Sequence, residues 1–169
     1  MSVMPRAGLG MAAATFVVDQ LTKIAVTDGL KLNELTAARE ITSFFNLRFV
    51  ANHGVSLGLL RADSDMQRWV LVAFTAAIAV AVAVWMTREK ARADQIALGA
   101  VLGGALGNIL DRMRLGYVVD FADLHFGDWR PFLIFNVADA AITLGVVVLL
   151  VRALLMRDKR GDLPENPNA

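Results

Sequence analysis

The chain has 169 residues, 56% of them hydrophobic, and a mean hydropathy of +0.52. That length suits one domain, and long apolar stretches between clumps of charge are the composition of a membrane protein, not of a soluble globule. A net charge of +1 excludes a general basic field for nucleic acid, and the lack of Cys excludes disulfides, thiolate nucleophiles and Cys-ligated metal centres. Two histidines, His53 and His125, leave little room for chemistry built on several imidazoles.

Four stretches could span a bilayer, for which roughly 20 mostly apolar residues are needed. The first runs from about Ala7 to Val26 and is interrupted by Asp19, Gln20 and Lys23. Its apolar run continues past the alanines at 12–14 to Val18, so it reads as a retained helix and not as a cleaved signal peptide. A long loop, 27–68, follows. Within it Phe44–Ala51 (FFNLRFVA) alternates as a short strand would, and Gly54 and Gly58 mark a turn or a second strand. The second span, Trp69–Met86, carries no charge. The third, Gln95–Arg112 with its polar ends included, has Gly99, Gly103 and Gly107 at intervals of four. That spacing allows close helix approach and marks the central helix of a bundle. A second loop, 113–131, contains Asp120, and the fourth span, Phe132–Val151, contains a single charge, Asp139. The tail, 161–169, is polar and proline-bearing and is expected to be disordered. The chain thus reads as one all-α membrane domain over 1–169 with four transmembrane helices.

Lys and Arg are denser in the two termini and the 87–94 turn than in the two loops, which predicts both termini in the cytoplasm and both loops outside. Trp69, Tyr117 and Trp129 then fall at outer span edges and Trp85 at an inner edge, as in an aromatic belt.

With that topology the polar residues of the spans collect at one level. Asp19 and Lys23 lie near the outer end of the first span, and Asn108, Asp111 and Arg112 at the outer end of the third. Asn136 and Asp139 lie in the outer half of the fourth. Counted from Phe132 at 1.5 Å per residue, Asp139 would sit roughly 10 Å below the entry point. An ionisable group inside a span costs at least about 2.5–3.5 kcal/mol, so each is a functional candidate by default. Asp19 and Lys23, four apart on one helical face, read first as a structural pair. Asp111 and Arg112 could anchor a helix end, or Arg112 could reach inward to a substrate carbonyl. Asn108 and Asn136 read as interhelical hydrogen-bonders or ligand groups, and His53 and His125 as solvated loop residues. Asp139 has no cation within four residues on its own helix. The short loop lets Asp120 fold back to it, and two carboxyls forced together share a proton, as an aspartic hydrolase requires. A proton-coupled transporter would spread polar groups through the membrane depth, and a scaffold would need only the glycine face. The apolar inner halves of all four spans oppose the transporter.

At these residues the sequence resembles the bacterial lipoprotein signal peptidases (signal peptidase II). The matching pieces are VVDQLTK (Val17–Lys23), NLRFVANHG (Asn46–Gly54), GGALGNILDR (Gly103–Arg112), VVDF (Val118–Phe121) and FNVADAAITLG (Phe135–Gly145), in the family's order and spacing. The resemblance implies four transmembrane helices with a small extracytoplasmic β-sheet and a short surface helix in the first loop. It also implies a multi-pass aspartic endopeptidase of the bacterial inner membrane, needing no metal or other cofactor. Its active site would face outward, and it would cut diacylglyceryl-modified prolipoproteins just before the lipidated cysteine. Carried over by motif, Asp120 and Asp139 are the catalytic dyad. Asn52, Gly54, Asn108, Arg112 and Asn136 line the substrate cleft, and Asp19, Lys23 and Asp111 are structural polar residues. The expected partners are prolipoproteins, membrane lipids and globomycin-type inhibitors, with no nucleic acid, and a monomer is expected. One departure stands out: where the family has Thr-Gly-Ala-Ala/Ser-Phe after the loop asparagine, this chain has His53-Gly54-Val55-Ser56-Leu57.

Overall fold

A computed structural model describes residues 4–33, 38–54 and 65–161. In chain order it contains α1 (Arg6–Ile24), a π-helical turn (Ala25–Gly29), β1 (Ala38–Thr42), β2 (Phe45–Asn52), α2 (Asp65–Arg88), α3 (Arg92–Leu115), β3 (Val118–Leu124) and α4 (Val137–Gly161). Four helical segments are long and apolar enough to cross a membrane: Arg6–Gly29, Asp65–Arg88, Arg92–Leu115 and Val137–Leu155. A 24-residue helix is about 36 Å long, enough for a hydrocarbon core of about 30 Å.

The third helix is the centre of the bundle. In its apolar window 61% of residues are buried, against 28%, 22% and 11% for α1, α2 and α4. The glycine stripe explains why α1 comes so close: a Cβ at Gly99 would meet the Gly8 backbone, one at Gly103 the Ala12 carbonyl, and one at Gly107 the Asp19 carboxylate. Gly104, turned toward α4, faces the Ala138 carbonyl in the same way. Small residues let backbones touch where no hydrophobic effect drives association. The outward faces of the helices carry large apolar residues such as Phe74 and Leu144, which is the arrangement hydrocarbon favours.

α3 stops at Gly116, whose φ of +86° puts it in the left-handed region that glycine occupies without strain. Two residues later the chain enters β3. The three strands form an antiparallel sheet in the order β1-β2-β3, with Ala38 opposite Arg48, Phe45 opposite Leu124 and Asn52 opposite Val118. Between Leu47 and Val50 the β2–β3 register slips, a bulge beside the Val50–Asp120 pair. A second core of Val26, Leu32, Phe49, Val119, Phe121 and Ala122 glues the sheet to the π-helical turn.

Three details differ from the sequence reading. Asp120 lies in the middle of β3, not in a loop. α4 begins at Val137, not at Phe132, because the Phe135 backbone is spent on β3: Phe121 N and Ala122 N donate to Phe135 O (3.1 and 2.8 Å), and Phe135 N to Ala122 O (3.2 Å). Consequently Asp139 occupies the first turn of α4, not a point two turns down. β1 is a strand the sequence did not announce. Gly58 and the tail beyond Gly161 lie outside the described residues, and no surface helix occurs among the described residues of the first loop.

Candidate active site

The site forms where the ends of α1, α3 and α4 meet the sheet. At the start of α4, Asn136 is the N-cap: its Oδ1 accepts from Asp139 N (2.9 Å), while Asp139 Oδ2 accepts from Asn136 N (3.4 Å). This reciprocal capping box fixes both side chains to the backbone they begin. Two further amides of that first turn find acceptors. Ala138 N donates to Asp19 Oδ1 from α1 (2.9 Å), and Ala140 N to Asn136 O (3.2 Å).

Asn136 also joins the two expected catalytic carboxyls. Its Nδ2 donates to Asp120 Oδ1 at 2.6 Å, and Asn52, the last residue of β2, donates to Asp120 Oδ2 at 2.9 Å. Asn108 on α3 donates to Asp139 Oδ1 at 2.9 Å. Two carboxyls are thus held by three asparagine amides, and no cation lies within ion-pair distance of either among the described residues. Lys23 and Arg112 face the pair from farther away. Asp120 is 2% exposed. Burial first, and the Asp139 charge second, push its carboxyl up to about 7 against the downward pull of Asn52, Asn136 and Lys23. It therefore keeps a proton well above the ordinary carboxylate range.

A second cluster stands directly behind. Lys23 Nζ spends all three of its protons, on Asp19 Oδ2 (2.8 Å), Asp111 Oδ2 (2.7 Å) and Asn108 Oδ1 (3.1 Å). Gln20, which sequence reasoning passed over, bridges the same carboxylates, donating to Asp111 Oδ1 (3.0 Å) and Asp19 Oδ2 (3.2 Å). Val119 N donates to Asp111 Oδ2 (3.3 Å), so α1, α3 and the sheet are tied together at one point. Asp111 is buried within this cluster and is no interface anchor. Because the ammonium occupies the Asn108 oxygen, the Asn108 nitrogen must turn to Asp139.

Arg112 turns inward. Its Nη2 donates to Gly54 O (2.8 Å), and its Nε is buried with no partner among the described residues. The helix end that carries it is itself held by Arg68, which donates to Arg112 O and Met113 O, both at 2.7 Å. Beside Arg112 and Asp139 opens a cleft of about 240 Å³ walled by Thr75, Ile78, Val101, Ala105, Asn108 and Ile142. Its walls are apolar and its polar groups converge at one end. Asn52, Gly54, Asn108, Arg112, Asn136, Asp120 and Asp139 are all brought together here. His53 is exposed and rests near the Tyr117 ring (centroids 5.5 Å apart), and His125 Nδ1 lies 3.4 Å from Asp123 O, so neither reaches the carboxyl pair. The buried Asp123, paired with Arg130 at 3.2 Å, carried no sequence signal.

Comparison with known proteins gives the family of the chain. A family model described as signal peptidase (SPase) II matches residues 11–155, a span that includes every residue just named as part of the site. The chain belongs to the signal peptidase II family. It is 57% identical over 153 residues to the lipoprotein signal peptidase of Rhizorhabdus wittichii, covering 90% of this chain and 88% of the relative. The lipoprotein signal peptidase of Sphingopyxis alaskensis is 56% identical over 163 residues, covering 96% and 94%. Among solved structures, a bacterial membrane enzyme determined by the in meso method superposes with a TM-score of 0.77 at 26% identity, covering 94% of this chain and 93% of its own. The four-helix bundle with its small antiparallel sheet is therefore the frame of a membrane-embedded lipoprotein signal peptidase.

Proposed function

We propose that this peptidase works by an aspartic dyad, Asp120 and Asp139, and cuts prolipoproteins immediately before a diacylglyceryl-modified cysteine. The observation that carries the reading is the pair of carboxyls at the bundle end, held by amides alone, with Asp139 lining an apolar cleft. The pair shares one proton. The ionised carboxylate takes a proton from a water, the water oxygen attacks the scissile carbonyl carbon, and the protonated carboxyl donates to the carbonyl oxygen. Collapse of the tetrahedral adduct breaks the C–N bond, and the leaving amine takes up a proton. The dyad titrates as a unit. No metal or cofactor is required by this chemistry.

The cleft suits that substrate. The signal peptide lies against Thr75, Ile78, Val101 and Ile142 while the two acyl chains stay in the bilayer. The free Nε of Arg112 is a donor for a peptide carbonyl, and Asn52, Gly54, Asn108 and Asn136 shape the polar end. A globomycin-type cyclic peptide would compete for the same space. The Lys and Arg distribution supports cytoplasmic termini, with the dyad at the outer face of the bacterial inner membrane.

The test is a gel-shift cleavage assay on purified protein with a lipidated prolipoprotein and its unlipidated twin. Cleavage of the lipidated form alone, lost in Asp139→Asn and untouched by a metal chelator, is the expected result. Full activity in that variant would overturn the dyad.

A further inference from the structure

The far end of the sheet ends in a small aromatic hairpin that the peptidase site does not use. Phe126 N donates to Trp129 O (2.8 Å) and Trp129 N to Phe126 O (3.2 Å), closing a two-residue turn at Gly127 and Asp128. Gly127 has φ +61°, as the first central position of such a turn requires. The rings of Phe126 and Trp129 lie 5.8 Å apart, and Phe44, from the β1–β2 turn, stacks on Phe126 at 6.5 Å. His125 N donates to Phe44 O at 2.9 Å, so the two turns are tied together. Despite this rigid mounting the rings stay bare: Phe44 is 48% exposed, Phe126 54% and Trp129 65%, and next along the chain Phe132 is 61% and Leu133 64% exposed. Contiguous apolar surface of this kind is rare against water and needs an occupant.

The chain itself says which occupant. Val137 is the first residue of a membrane-crossing segment. At about 3.3–3.6 Å per residue, Phe132 can lie no farther than about 18 Å from it, and Trp129 no farther than about 29 Å. Asn136, the cap of that segment, is bonded to Asp120 and Val119 O, so the middle of β3 already rests on the helix ends. Trp and Phe concentrate where one side of a ring meets hydrocarbon and the other meets head groups. The neighbouring Arg130 is neutralised by Asp123, which leaves Asp128 at the turn as the charge nearest the rings in sequence.

We propose that the Phe126–Trp129 hairpin, with Phe44, Phe132 and Leu133, lies in the interfacial lipid layer on the sheet side of the bilayer and sets the height at which β3 holds Asp120. The docking does not depend on the dyad reading; only the consequence for Asp120 does.

The chain has three tryptophans, so Trp69→Phe/Trp85→Phe leaves Trp129 as the sole emitter, and both replaced rings are about half exposed. The variant is reconstituted in phosphatidylcholine vesicles brominated either near the head group or near the chain ends. Blue-shifted emission, quenched several-fold more by shallow than by deep bromines and shielded from aqueous iodide, is expected. Iodide-accessible emission would mean a bare surface. Blue emission without bromine quenching would mean a protein cover, including a second copy. Stronger deep quenching would mean insertion into hydrocarbon. Each of these overturns the proposal. Should that variant fail to fold, the absence of Cys allows Asp128→Cys to carry an environment-sensitive dye, read against the same lipids with the same outcomes. For the height-setting role, Phe126→Ser/Trp129→Ser should raise KM for lipidated substrate several-fold in vesicles and much less in micelles. An equal change in both, or none, overturns that role without touching the quenching result, whereas inactivity of the parent enzyme would count against the peptidase reading alone.

Discussion

Asp19 and Asp111 close on one lysine, whereas Asp120 and Asp139, a few ångströms of packed amide away, close on three asparagines. Both are pairs of acids at the same end of the bundle, all buried but the half-buried Asp139. In the first, Lys23 and Gln20 satisfy the carboxylates, and the spare oxygens cap α4 and hold Val119. In the second, no ammonium or guanidinium sits between the acids, so burial and mutual repulsion act unopposed by an ion pair and hold a proton on Asp120 up to about pH 7. A cation in the middle makes a joint; without one, the second pair fits the acid–base couple proposed above. The two are wired in series through Asn108, whose oxygen faces Lys23 and whose nitrogen faces Asp139.

The sharpest break of this contrast is in activity. Asp120→Asn and Asp139→Asn should each lower kcat/KM on lipidated prolipoprotein by on the order of 10³-fold or more, with the fold retained. Because the two act as a unit, the double variant should be no worse than either single one. Losses that multiply in the steady-state assay would show independent roles. Asp111→Asn should behave differently, losing stability before it loses turnover.

Next in size is removal of the joint's cation. Lys23→Met leaves two buried carboxylates facing each other, a situation that costs about 3–5 kcal/mol. Thermal unfolding in detergent should show a large drop in Tm. Neutralising the cluster together, as Asp19→Asn/Lys23→Met/Asp111→Asn, should recover much of it, since buried ion pairs are often replaceable. A triple variant as unstable as the single one would mean that the lysine holds the fold by packing and not by charge.

The proton on Asp120 gives a third effect with a definite sign. In the unfolded chain the group ionises near its ordinary value of 3.8, and in the fold near 7. Its favourable contribution is complete below about pH 4 and is lost as pH rises to about 7. Stability should therefore decline across that window by a few kcal/mol at most, and Asp120→Asn should flatten the decline. An unchanged slope would contradict the raised value.

Much of this is legible in the sequence. The spacing marks the glycine face of α3, and the motifs single out Asp120 and Asp139, the two carboxyls proposed above as a dyad. What could not be read has physical causes. Phe132–Phe135 is as apolar as a helix, so nothing in its composition told that the Phe135 backbone pairs with β3. The start of α4 was misplaced by five residues, and Asp139 with it. The signal that could have corrected this is Asn136 three residues before Asp139, an N-cap spacing. β1, AREIT, is almost wholly exposed and has no apolar alternation to betray it. The role of Gln20, named only as a polar interruption of the first span, could not be read because Asp111 lies ninety-one positions away, and that of Asp123 because its burial depends on the sheet.

The smallest effect tests whether the amides tune the couple or only hold it. Asn52 spans two duties: its Nδ2 donates to Asp120 Oδ2 and its Oδ1 accepts from Gly54 N at 3.0 Å, just where Arg112 grips the Gly54 carbonyl. Removing the amide takes away one of the two hydrogen bonds that favour ionised Asp120, so the proton should be held more tightly. Activity that needs a protonated Asp120 should fall as pH rises through about 7 in the parent enzyme. In Asn52→Ala that limb should move up by about one pH unit, the worth of a hydrogen bond to a charged group after solvent replaces part of it. Asn52→Ser, which can still donate, should move it less. If Asn52 served only to place Gly54, both variants would raise KM and leave the limb where it was, and the couple's tuning would then rest on burial, the Asp139 charge, Asn136 and Lys23.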